Sequence, residues 1–142
     1  MESMIYLLMV TSGGTTKKVE LDQFENIRRS GLIAIKLNDG ENLQWVKQTT
    51  GKDEIMLVSR LGQAIRFKET DIRAMGRNAA GVHGMKLKGT DQIVGMDVVE
   101  AVSSKKGDQL LVVMHEGYGK RSEIKEYKVQ RRGGSGIKTA NI

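Results

Sequence analysis

This sequence predicts an all-β fold of the propeller type, about two and a half four-stranded blades long, and three observations carry that prediction. First, the chain repeats itself. Residues 55–66, closed by 81–87, have a counterpart in 7–18, closed by 31–37, and a third copy begins at 110–121 and reaches 136–140. The anchor glycines Gly14, Gly62 and Gly117 stand 48 and 55 residues apart, a period that points to propeller blades rather than to one ordinary core. Second, proline is absent while 17 of the 142 residues are glycine, so turns fall to Gly, Asn and Asp, as at Asn38, Asp39 and Gly40 between two apolar runs. Third, apolar and charged side chains alternate at Ile65, Arg66 and Phe67, which is the two-residue period of a strand.

The elements follow in one order in each repeat: apolar strand, glycine turn, second strand ending in a cation, polar connection, glycine, third strand. In repeat one (1–52) the opening strand is the apolar run from Met4 to Val10, and 43–48 forms the fourth strand. In repeat two (53–107) the strands are expected at 55–59, 64–68, 82–87 and 92–99, with a connection at 69–80. Four short strands per unit is the content of a propeller blade. Repeat three (108–142) ends after its third strand, and neither end carries the polar cap of a terminal repeat, so a piece of a longer protein is expected. The boundaries are set at the charged turns Gly51, Lys52, Asp53 and Lys106, Gly107, Asp108.

Composition narrows the class. A hydrophobic content of 39% supports a folded core. The absence of cysteine removes disulfides and thiolate metal sites, which fits a cytoplasmic setting. The N-terminal apolar run is too short for a membrane span, has no basic flank and recurs inside the chain, so it reads as a strand rather than a signal peptide. The net charge of +6 is spread as +1, +2 and +3 over the three repeats.

The densest candidate site is Gln130, Arg131, Arg132, Gly133, Gly134, Ser135 and Gly136. Glycine lets a backbone approach phosphate and present its N–H groups, while arginine offers a planar fork of donors to the same oxygens. The other connections carry Arg28 and Arg29 before Gly31, and Arg77 before Gly81. Arg77 and Arg132 both stand four residues ahead of their glycine, and Lys18, Arg66 and Arg121 each follow an anchor glycine by four. Arranged around an axis, these cations would form a curved basic strip that neutralises DNA phosphates and prefers DNA that bends easily. A single charged loop is usually just solvated, but recurrence in three repeats favours binding. Lys36 and Lys86 have the plainer role of guarding strand edges.

Other features carry no chemistry. His83 and His115 lack a second ligand at metal spacing, and the glycine clusters lack the strand-to-helix setting of a nucleotide site, so no cofactor is implied. Asp22, Glu25, Asp71 and Glu126 read as solvated or ion-paired. Met9, Met56, Met114 and Trp45 read as core, and Tyr6, Tyr118 and Tyr127 as structural rather than nucleophilic.

Residues 17–31, then 62–67 with 71–77, then 117–121 with Glu126 and Tyr127 resemble consecutive interior blades of a six-bladed DNA-wrapping β-pinwheel, the C-terminal domain of the DNA gyrase A subunit. The order is that of its third, fourth and part of its fifth blade. Residues 130–136 are similar to the gyrase A box at six of seven positions, with Ser135 in place of the second basic residue. Because that box normally occupies the first blade, 130–136 reads as the box-like loop of a later one.

The resemblance implies duplex DNA as ligand. It implies two protein partners, the rest of the gyrase A subunit plus the gyrase B subunit. It further implies a type IIA topoisomerase as the parent enzyme and a bacterial-type, nucleoid-associated cytoplasmic location. The chain itself would be a DNA-binding accessory without a reaction of its own. The C-terminal domain of topoisomerase IV shares the blade fold and is the first alternative. A propeller-type module for acidic protein partners is the second, although no set of exposed apolar anchors is visible in the sequence.

Overall fold

Three tight hairpins seed the computed structural model, which describes residues 4–100 and 107–141. β1 (Tyr6–Thr11) and β2 (Thr15–Glu20) turn at Gly14, whose N–H donates to Thr11 O at 3.1 Å. β3 (Leu43–Thr49) adds to the other edge of β1. β4 (Glu54–Ser59) and β5 (Gln63–Lys68) repeat the turn at Gly62, which donates to Ser59 O at 3.0 Å. After the two-residue β6 (Val82–His83), β7 (Ile93–Val99) pairs with β4 as β3 does with β1. β8 (Gln109–Val113) and β9 (Gly119–Glu123) turn at Gly117, which donates to Met114 O at 2.9 Å, and the two-residue β10 (Val129–Gln130) and β11 (Ile137–Lys138) follow. Gly14, Gly62 and Gly117 hold φ of 90°, 87° and 91°, a left-handed conformation that explains why each hairpin needs glycine there. The expected boundary residue Lys106 lies outside the described residues.

The fold is all-β, of the β-propeller and pinwheel class, with three short 3-10 turns the only helical content among the described residues. One expectation needs correction: the third strand of a repeat does not join its own sheet. β6 leaves the second unit and pairs with β2 of the first, Thr15 opposite His83 and Thr16 opposite Val82. β11 leaves the third unit and pairs with β5 of the second in the same register, Gln63 opposite Lys138 and Ala64 opposite Ile137. β10 also lies along β5, in parallel, as Ala74 bridges to Lys18 one unit earlier.

Glycine permits the exchange. A Cβ on Gly81 would stand 2.5 Å from Thr16 O, and one on Gly136 would stand 2.3 Å from Ala64 O. The first unit's own copy of this segment, 31–37, forms no strand, because no sheet among the described residues precedes it to receive one.

Packing follows the same stagger. Leu8 and Val10 of the first sheet are buried with Ile55, Leu57, Ile65 and Phe67 of the second. Met56 and Ala64, from the second, are buried with Ile124 and Tyr127 of the third unit. Each of these two sheets is therefore covered on one face by the unit that follows. Met9 and Met56 are core residues as expected, and Trp45 packs half-buried against the first cluster.

Lys17 shows how tightly the units are fastened. It is fully buried on β2, and its Nζ donates to Ala34 O at 2.7 Å, to Ala79 O at 2.9 Å and to Arg77 O at 2.5 Å, so three donors meet three carbonyls from two connections. Burial, followed by the nearby Arg77 charge, holds its ammonium below the ordinary value of 10.5. Lys17→Met should cost about 2–3 kcal/mol in chemical denaturation, since buried carbonyls lose their donor. The unfolded chain holds this proton more tightly than the folded one, so the Lys17 contribution to stability grows as pH rises toward 10.5. The gap between wild type and variant should widen in that window, and a gap that narrows would refute the assignment.

Candidate nucleic-acid interface

The three basic connections lie side by side because backbone hydrogen bonds stitch them together. Lys36 N–H donates to Ala79 O at 3.2 Å, joining the first connection to the second. Gly133 N–H donates to Gly84 O at 2.7 Å, and Lys86 N–H to Gly134 O at 2.9 Å, joining the second to the third. Side chains reinforce the seam, with Arg77 Nη1 on Ile33 O at 3.3 Å and Arg132 Nη1 on His83 O at 3.1 Å. The connections thus form one continuous surface running across all three units.

The predicted cations divide into two groups. Arg28, Arg29 and Arg131 are exposed, and no carboxylate lies within ion-pair distance of them among the described residues. Arg77 and Arg132 are half-buried and committed to the seam, Arg132 also donating through Nε to Asp71 O at 3.0 Å. Arg121 is exposed on β9.

Lys18 and Arg66 correct the expectation. Both are buried. Lys18 Nζ donates to Glu69 O at 3.3 Å, lies 3.9 Å from the Glu69 carboxylate and sits 4.6 Å from the centre of the Tyr6 ring. Arg66 is paired with Glu54 through Nε, and its Nη1 donates to Ile124 O and Tyr127 O, both at 3.1 Å. These two cations therefore fasten each unit to its successor and present no charge to a ligand. The physical reason is that each cation shares the sheet face on which the following unit packs, Lys18 opposite Leu8 and Arg66 opposite Met56, so it is covered together with those apolar neighbours.

The glycines of 130–136 also divide. Gly136 is consumed by the close approach to Ala64, and the Gly133 N–H is spent on Gly84 O, so neither is free to approach a ligand as expected. Gln130 lies in β10 with its Oε1 near Gly134, and Gly134 gives its carbonyl to Lys86. The sequence reading also passed over Arg73 and Lys128, exposed at the same place in successive connections. Each stands 11 residues after its anchor glycine, and that shared offset was the signal.

The stitched connections on exchanged sheets define a repeat protein of the propeller class with a basic surface. The family model "DNA gyrase C-terminal domain, beta-propeller" matches residues 6–50, 53–100 and 108–142, and the chain belongs to that family. It is 42% identical over 137 residues to the DNA gyrase A subunit of Staphylococcus epidermidis and 43% identical over 132 residues to that of Haloquadratum walsbyi. Those matches cover 96% and 93% of this chain but only 15% of either relative, so the chain spans a small part of their length. Among solved structures, the C-terminal domain of DNA topoisomerase IV matches with TM-score 0.87 at 32% identity, over 94% of this chain and 41% of that one. The DNA gyrase A C-terminal domain matches with TM-score 0.81 at 31% identity, over 96% and 43%. No helix among the described residues is long and apolar enough to cross a membrane.

Proposed function

We propose that this chain binds duplex DNA with little regard to sequence and bends it along the stitched connections, within the A subunit of a DNA gyrase. The observation that carries the reading is the continuous surface of three connections with exposed Arg28, Arg29, Arg73, Lys128 and Arg131. Cations placed along one surface replace the counterions of the DNA backbone, which gives affinity without base readout. The catalytic tyrosine chemistry and ATP use belong to other parts of the enzyme and to the gyrase B subunit, with the chain supplying the wrapped DNA. The setting is the bacterial-type cytoplasm, at the nucleoid.

Arg131→Ala should weaken binding to all mixed-sequence duplexes about equally and reduce the slope of log affinity against log salt by about 0.9, the share of one phosphate. Fluorescence anisotropy over a salt series reads both quantities. Unchanged affinity and slope would remove Arg131 from the interface. The match to the topoisomerase IV domain favours a second reading, in which the same surface serves that enzyme instead. Reconstitution with each set of partner subunits separates the two, by whether negative supercoils are introduced.

A further inference from the structure

The two seams between connections share one backbone design, so their side chains can be compared position by position. Lys36 N–H donates to Ala79 O across the first seam, and Lys86 N–H donates to Gly134 O across the second. A turn follows at the same distance in both, with Glu41 N–H on Asn38 O and Asp91 N–H on Lys88 O, each at 3.1 Å. Ala80 and Ser135 are equivalent too, since each immediately precedes a left-handed glycine, Gly81 or Gly136. Lysine therefore stands at the second seam where the first has Asn38, and a hydroxyl where it has Ala80.

These exchanges meet in one place. A cavity of about 190 Å³ opens at the second seam, bordered by Gln63, Lys86, Lys88 and Asp91 of the second unit and Ser135 of the third. We infer that this notch seats one phosphate of the bound duplex, with Lys86, Lys88 and Ser135 as its donors. The inference rests on the proposed function and adds to it a site built by two units together.

Lys86 is not needed to guard a strand edge, because Gly134 already occupies that edge. The side chains of Lys86 and Lys88 are exposed, and no carboxylate lies within ion-pair distance of either among the described residues. Ser135 is exposed on the wall that the third unit contributes.

The acids of the two seams are also held differently. At the first, Glu41 accepts from the hydroxyls of Thr11 and Thr15 at 2.8 and 3.2 Å and lies over Gly13, leaving no room for a Cβ there. At the second, Leu61 takes the place of Gly13 and the acid is one methylene shorter. Asp91 Oδ1 accepts instead from Leu61 N–H at 3.0 Å and Gln92 N–H at 2.9 Å. Two backbone donors offset that carboxylate, and two ammoniums leave the notch positive. A phosphodiester presents two unesterified oxygens, which two ammoniums and a hydroxyl can share. Such a contact fixes the position of the duplex without reading its bases.

Fluorescence anisotropy on a mixed-sequence duplex across a salt series tests the notch, with circular dichroism confirming that each variant is folded. Lys86→Gln combined with Lys88→Asn should reduce the slope of log affinity against log salt by about 0.9, the share of one phosphate. Ser135→Ala changes no charge, so it should weaken binding about fivefold at every salt concentration and leave the slope alone. Lys36→Gln, on the same backbone at the first seam, should keep the wild-type slope. In an amide NMR titration the Ser135 signal should move when the duplex is added. Movement with inorganic phosphate but not with the duplex would make the notch a site for a free anion and overturn the inference. It would equally be overturned by a wild-type slope in the double lysine variant, by wild-type affinity in Ser135→Ala, or by a loss of slope in Lys36→Gln as large as in the double variant. In those cases weaker binding by Arg131→Ala would leave the proposed function standing, whereas a wild-type chain without salt-dependent binding would remove both.

Discussion

Gly136→Ala should cost about 3 kcal/mol or more and release the third unit from the second. Its φ of 77° already penalises an L side chain by about 1–2 kcal/mol. The new methyl would also lie 2.3 Å from Ala64 O and 2.7 Å from Ala64 C, atoms of a central strand that cannot move aside without breaking its own ladder. Gly31→Ala is the control. It has nearly the same φ, 80°, but open space around it, so only the conformational penalty of about 1–2 kcal/mol applies. Urea denaturation of the two variants reads the difference. Equal losses would show that the close approach to β5 contributes nothing.

Arg66→Ala should be comparably severe, at about 3–5 kcal/mol, because it leaves a nearly buried carboxylate without its partner. Glu54 would lose its cation, and the carbonyls of Ile124 and Tyr127 would lose a donor at the point where the third unit turns onto the second. Lysine is not an adequate substitute, since one ammonium cannot reproduce a planar fork that serves a carboxylate and two carbonyls together. The double variant Arg66→Met with Glu54→Leu should recover much of the loss, because the uncompensated charge is gone and apolar volume replaces it. If the double variant is as unstable as Arg66→Ala, the cost lies in lost packing and not in the stranded carboxylate.

These two predictions mark where the sequence was readable. The hairpins were legible because each is a local event: an apolar run, a glycine at fixed offset and a second run decide the turn within a dozen residues. The strands at 55–59 and 64–68 were found within a residue or two for that reason. The destination of Val82 and His83 was not legible. Their alternation says that they are extended, but the edge they join lies 66 residues back, and nothing within the segment distinguishes it from the nearer β5.

The same limit explains Lys18 and Arg66. A cation alternating with apolar residues reads as one solvated face of a strand, and its burial depends on carbonyls that arrive 51 to 61 residues later. Lys17 hid for a similar reason, since two adjacent lysines on a strand look like surface. Arg28, Arg29 and Arg131 were readable as exposed because loop cations need no distant partner to place them.

The exchanged strand also means that the length of chain copied in the sequence is not the length that holds a shape. Excising 53–100 as a module would leave behind the segments that complete β5 and would carry off β6, which completes β2. The stretch that completes one four-stranded sheet is out of phase with the repeat, running from one hairpin through to the donated segment of the next, residues 6–83. Shuffling, deletion or insertion of whole periods is therefore tolerated only where the neighbours on both sides are compatible, so the joints constrain how such arrays grow and shrink more than the units do.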